Sequence, residues 1–208
     1  MRPASPEIAS ALTVLLAGVF VLAFYDLGRH STHMALHIAL MNIIAPLVAS
    51  AAVKSVSRVG LMWGAVFAQL ALLWMWHVPA MHGWAMQSLA AQIVMHASLF
   101  AAALWFWSAV LRLPGAKRWQ AIPALLVTGK LVCLLSALII FSPRLIYAGV
   151  AGHHHASALP ALDDQQLAGL LMITACPLSY IIVGIFFAAR LLYPTQEPRV
   201  RYRRAPAR

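Results

Sequence analysis

Nine histidines in a chain with only five Asp and Glu residues carry most of the available chemistry. His30, His33 and His37 open one apolar run, His77 closes the next, His82 follows it, and His96 lies inside a third. His153, His154 and His155 fall in the longest stretch between apolar runs. Neutral imidazole suits copper, zinc and iron, while a thioether selects softer ions such as Cu(I). His33 and His37 are four residues apart, the spacing that puts two side chains on one face of a helix. Asp164, Ala168 and Met172 share a face for the same reason. Converging faces of this kind would build a site of imidazole, carboxylate and thioether groups.

The helices that must position these groups follow from composition. The chain has 208 residues, 62% hydrophobic and 10% charged, against about 25% charged in an ordinary soluble domain. This is the composition of an integral membrane protein, and it excludes a disordered chain or a disulfide-stapled secreted module. A span needs about 20 mainly apolar residues, and six segments qualify: 8–25, 30–53, 59–78, 87–111, 121–142 and 165–192. Helices are the only open-ended elements that satisfy their own backbone in lipid. The expected fold is therefore all-α, a polytopic membrane bundle of six transmembrane helices. A single domain covers residues 1–192, followed by a basic tail over 193–208. Segment 8–25 lacks a small-residue cleavage site and reads as a retained helix rather than a signal peptide.

Orientation follows from the basic residues. With the N-terminus inside, Arg2, Lys54, Arg58, Arg112, Lys117, Arg118, Arg190 and five tail arginines lie on the cytoplasmic side, and only Arg29 and Arg144 on the other. Twelve against two places both termini in the cytoplasm. The net charge of +10 is thus a membrane-flank signature and not a nucleic-acid surface. On this topology every histidine falls on or near the outward side. Helical rise puts His37 and Met172 about 10 Å and His96 about 13 Å below the surface, beneath a shallower layer of His33, His77 and Asp164.

Simpler readings stand beside the metal reading. The outward methionines Met34, Met41, Met75, Met81, Met86, Met95 and Met172 are individually compatible with plain packing. His30 and His82 read as interfacial residues, and His153–His155 as either a solvated loop or a metal-capture tract. His37 and His96 differ, because an ionisable group within a span is costly and usually functional or paired. Asp164 fits equally as a ligand or as an acidic cap at the start of the sixth helix. Lys130 reads as a snorkelling side chain, and Pro177 as a kink within the last span. Cys133 and Cys176 lie in apolar runs and form no CxxC motif. The sequence holds no GxGxxG, P-loop, GxSxG or HExxH, and too few carboxylates for an acid–base pair, so no enzyme is expected.

Four pieces in order carry a family resemblance: His33-Met34-x-x-His37, Trp76-His77-x-Pro79, His96-x-x-Leu99-Phe100 leading to Phe106-Trp107, and Asp164-Gln165-Gln166-Leu167-Ala168-Gly169-Leu170-Leu171-Met172. With Ser142-Pro143 they span about residues 30–190. In these motifs the chain resembles the CtaG family of caa3-type cytochrome c oxidase assembly factors. The resemblance implies a multi-pass factor of the bacterial inner membrane that matures the oxidase by handling copper for its copper centre. It implies as partners the oxidase subunit carrying that centre and a periplasmic copper donor. It points to His33, His37, His77, His96, Asp164 and Met172 as the positions to test as Cu(I) ligands. Two other readings stay open: a b-type haem protein with His37 and His96 as axial ligands, and a copper transport component. A scaffold that contacts the oxidase without metal is a further one.

Overall fold

The computed structural model describes residues 28–51, 58–147 and 159–192. These form six helices, with no strand among the described residues. Helix α1 is Arg29–Ala51, with a π-helical turn over Ala39–Ile44; α2 is Val59–His77 and α3 is Pro79–Gln87. Helix α4 is Leu89–Leu111, α5 is Ala121–Ile140 after a 3-10 turn over Gly115–Gln120, and α6 is Ala161–Leu192. All except α3 are long and apolar enough to cross a bilayer, giving five candidate spans. Segment 8–25, Lys54, His153–His155 and the tail over 193–208 lie outside the described residues.

The five spans agree with the predicted segments to within a few residues, but two differences matter. The stretch around His82, expected as a loop, is the helix α3. Pro79 occupies its first turn, where the missing N–H costs nothing and the fixed φ favours helix entry. Helix α6 begins four residues earlier than the predicted span, so Asp164 lies inside its first turn.

Large apolar side chains such as Phe67, Leu138, Ile185 and Leu192 face outward, as lipid contact requires, while Phe106 and Trp107 sit at the centre of the bundle. Close helix approach depends on a small residue at Gly169. A Cβ there would lie 2.7 Å from Ile140 Cγ1 and 3.2 Å from the Ile140 backbone nitrogen, so α5 and α6 meet where no larger residue fits.

The start of α1 is held from a distance. The first N–H groups of a helix have no partner within it, and Gly28 at the N-cap has no side chain to offer one. The Asp164 carboxylate of α6 accepts instead from His30 N at 2.8 Å, Ser31 N at 2.9 Å and Ser31 Oγ at 2.6 Å. A negative group there also meets the positive end of the helix dipole. Gly28 has φ +47°, and a Cβ on it would fall onto that same carboxylate, so the position demands glycine on both counts.

The π turn leaves one carbonyl to be satisfied from another helix. Ala45 N–H bonds to Leu40 O, five residues back. In that register the next carbonyl, Met41, would need the amide of Pro46, which has none. Trp107 Nε1 donates to Met41 O at 2.8 Å in its place.

At the same end of the bundle as the cap, Gln165 Oε1 accepts from Ile146 N at 2.8 Å and Tyr147 donates its hydroxyl to His77 O at 3.2 Å. The segment after α5 is thereby tied to α6 and to the end of α2. The starts of α1, α4 and α6 and the end of α2 thus share one end of the bundle with α3. The polar chemistry is concentrated there.

Candidate metal centre

Six histidines meet at this end. His33 and His37, one turn apart on α1, bring their Nε2 atoms to 2.7 Å. The His96 ring from α4 stacks on His37 at 4.7 Å between centroids and meets His33 at 5.1 Å. One ligand nitrogen from each of His33, His37 and His96 lies within 4.8 Å of the other two. An imidazole nitrogen binds zinc at about 2.0–2.1 Å, and a copper–imidazole bond is of similar length. Side-chain adjustment of about 1 Å would therefore draw all three onto one ion.

Protonation is set by the backbone at two of these rings. His96 Nδ1 lies 2.7 Å from Gln92 O, and His77 Nδ1 lies 2.7 Å from Leu73 O. A carbonyl only accepts, so each Nδ1 must carry a proton, and in the neutral ring each Nε2 then carries the lone pair. This is the arrangement in which a second partner fixes the tautomer and ring orientation of a metal ligand. The Nε2 atoms of His77, His82 and His96 and Nδ1 of His37 are buried without a hydrogen-bond partner among the described residues. Unpaired buried polar atoms cost roughly 1–3 kcal/mol each. Four such atoms lie in one cluster of rings.

His82 from α3 and His30 from α1 form an outer layer above the trio. His82 is 1% exposed; its ring lies 5.3 Å from His33, 5.7 Å from His30 and 4.2 Å from Tyr147. Burial, and then the charges of His77, His30 and Arg29, lower its imidazole to about 3, so it is neutral at physiological pH. Burial also pushes the Tyr147 phenol up to about 12.

His37 also lines a cavity of about 10 Å³, together with His77, Met34, Met41, Met172, Cys176, Ile38, Asn42, Leu73, Val132 and Tyr180. Asn42 donates to Cys176 Sγ at 3.3 Å and accepts from Ser179 Oγ at 2.8 Å, while the Tyr180 hydroxyl accepts from Gln69 Nε2 at 2.8 Å. Tyr180 also borders a groove of about 310 Å³ between α5 and α6, which Lys130, Cys133 and Pro177 line.

The structure therefore regroups the sequence-derived candidates. His33, His37 and His96 come together; His77 and Met172 share the cavity beside them. Asp164 does not join the cluster. Its oxygens are spent on the His30 and Ser31 amides and the Ser31 hydroxyl, so it caps α1 while standing in the acidic first turn of its own helix. His82, expected as a solvated interfacial residue, is buried against the trio. Sequence reasoning missed it because α3 was not recognised; Pro79, a helix-entry residue three positions before His82, was the available signal. Lys130 is exposed on the groove rather than buried.

Residues 8–193 match the family described as cytochrome c oxidase caa3 assembly factor (Caa3_CtaG). No curated protein and no solved structure matches the chain.

Proposed function

The chain belongs to the cytochrome c oxidase caa3 assembly factor family, and on that premise we propose that it receives Cu(I) at His33, His37 and His96 and passes it toward the copper centre of the oxidase. The observation that carries this reading is the trio itself: three imidazole nitrogens within 4.8 Å, one of them locked by Gln92 O into the ligand tautomer. Neutral imidazole accepts Cu(I), and the nearby thioethers favour a soft ion over zinc. The histidine end faces outward, toward a periplasmic copper donor and the copper-bearing oxidase subunit, and both termini lie in the cytoplasm of a bacterium whose inner membrane holds the bundle. Copper is cargo, and the role is assembly rather than catalysis.

The other readings fit the geometry less well. Two axial imidazoles need an iron and the porphyrin plane between them, and the rings of His37 and His96 stack at 4.7 Å. A transport path would have to continue past Tyr180, which is buried between the small cavity and the larger groove and stacks on Trp107 at 5.5 Å.

The test is oxidase maturation in cells. A deletion strain complemented with the wild-type chain is expected to recover oxidase activity and the spectrum of the assembled enzyme. The His33→Ala/His96→Ala variant, present in the membrane in equal amount, is expected to recover little of either. Full recovery with that variant would remove the trio from the function.

A further inference from the structure

We propose that the cavity beside His37 is a second, softer Cu(I) station, with His77 Nε2 and the thioethers of Met34, Met41 and Met172 as its donors. The proposal rests on the reading of the upper trio as a Cu(I) site and extends it inward. Three observations converge on it. His77 lines the cavity, and its Nε2 carries a lone pair, is buried and has no partner among the described residues. The three methionines of the lining are each buried. The remaining polar groups of the lining are engaged elsewhere: Asn42 with Cys176 and Ser179, and the Tyr180 oxygen with Gln69.

A space of about 10 Å³ holds one small particle. A buried water needs two to four polar partners, and thioether sulfur is a weak acceptor for it. The same sulfurs are good ligands for Cu(I). His37 stands between the two stations: its Nε2 meets His33, and it lines the cavity with Nδ1 unpartnered. The π turn next to it places Met41 and Asn42 on the cavity wall, and such turns frequently mark functional positions. An ion moving from three imidazoles to a nitrogen–sulfur set exchanges ligands without a change of oxidation state.

The experiment is X-ray absorption at the selenium edge on the full chain, labelled with selenomethionine, purified in detergent and loaded anaerobically with one and then two equivalents of Cu(I). A copper–selenium scattering shell is expected by the second equivalent. It should disappear in the Met34→Leu/Met41→Leu/Met172→Leu variant, which is close in volume and keeps one bound copper. No such shell in the wild type, with imidazole scattering still present at the copper edge, would overturn the second station and leave the upper site standing. A shell that survives in the triple variant would assign the sulfur to other methionines and overturn it as well. Failure of the wild type to retain any Cu(I) would sink both readings together.

Discussion

Replacing His37 with alanine is expected to weaken Cu(I) binding by about 100-fold or more, the largest effect of any single histidine. Changing a residue that merely supports a metal ligand typically costs 10–100-fold in affinity, so removing a ligand from the middle of the cluster should cost at least the upper end. That corresponds to about 2.8 kcal/mol. His37 is singled out because its ring makes the two closest contacts of the trio, 2.7 Å from His33 through Nε2 and stacked on His96 at 4.7 Å, against 5.1 Å between His33 and His96. It is also the most deeply buried of the three, so solvent cannot readily take its place. His30→Ala, which removes a ring of the outer layer, should leave the affinity near the wild-type value. Competition with a calibrated Cu(I) chelator measures both. Equal affinities for wild type and His37→Ala would take His37 out of the site.

The second large effect is on stability. Asp164→Ala is expected to lower unfolding stability by more than about 3 kcal/mol, because hydrogen bonds to charged groups contribute about 1.5–3 kcal/mol each and this carboxylate accepts three. The loss would also leave two N–H groups at the start of α1 without a partner. Asp164→Asn keeps one carbonyl acceptor and the shape, so its loss should be smaller, about 1–2 kcal/mol. Thermal unfolding in detergent separates the two variants. A carboxylate acting as a metal ligand behaves differently: Asp164→Ala would then weaken Cu(I) binding with the unfolding temperature unchanged. The cap also has a route to the site, since α1 carries His33 and His37 one and two turns beyond it. Weakened copper binding in Asp164→Ala should therefore accompany the stability loss.

What the sequence made legible divides along physical lines. Long apolar runs are read directly from length and hydropathy, and the five described spans lie where these runs lie. The i, i+4 pair His33 and His37 was also legible, since a helix leaves the two side chains nowhere else to go. Partnership across helices was not. Asp164 and Ser31 are 133 residues apart, and no local pattern distinguishes a carboxylate that caps its own helix from one that caps a neighbour. Depth along each helix did not settle grouping either: of His33 and His77, assigned to one layer by rise alone, His33 joins the trio and His77 lines the cavity. The π turn is hidden because the group that takes up its spare carbonyl, Trp107 Nε1, lies 66 residues further along the chain. His82 was misjudged for a simpler reason. A nine-residue helix lies below the length at which apolar periodicity speaks, and only Pro79 announces it.

These features serve one arrangement. The Asp164 cap anchors the start of α1, the Trp107 bond accommodates its π turn, and Gln165 and Tyr147 fasten the neighbouring chain over the end of α2. Between those fixed points stand six imidazoles, several with a bare nitrogen. The measurement that tests this most directly is anaerobic Cu(I) titration against a calibrated chelator, on detergent-purified wild type beside the folded His33→Ala/His96→Ala variant. The wild type is expected to hold Cu(I) at a chelator concentration that strips the variant. Equal retention by the two proteins, or none by the wild type, would contradict it.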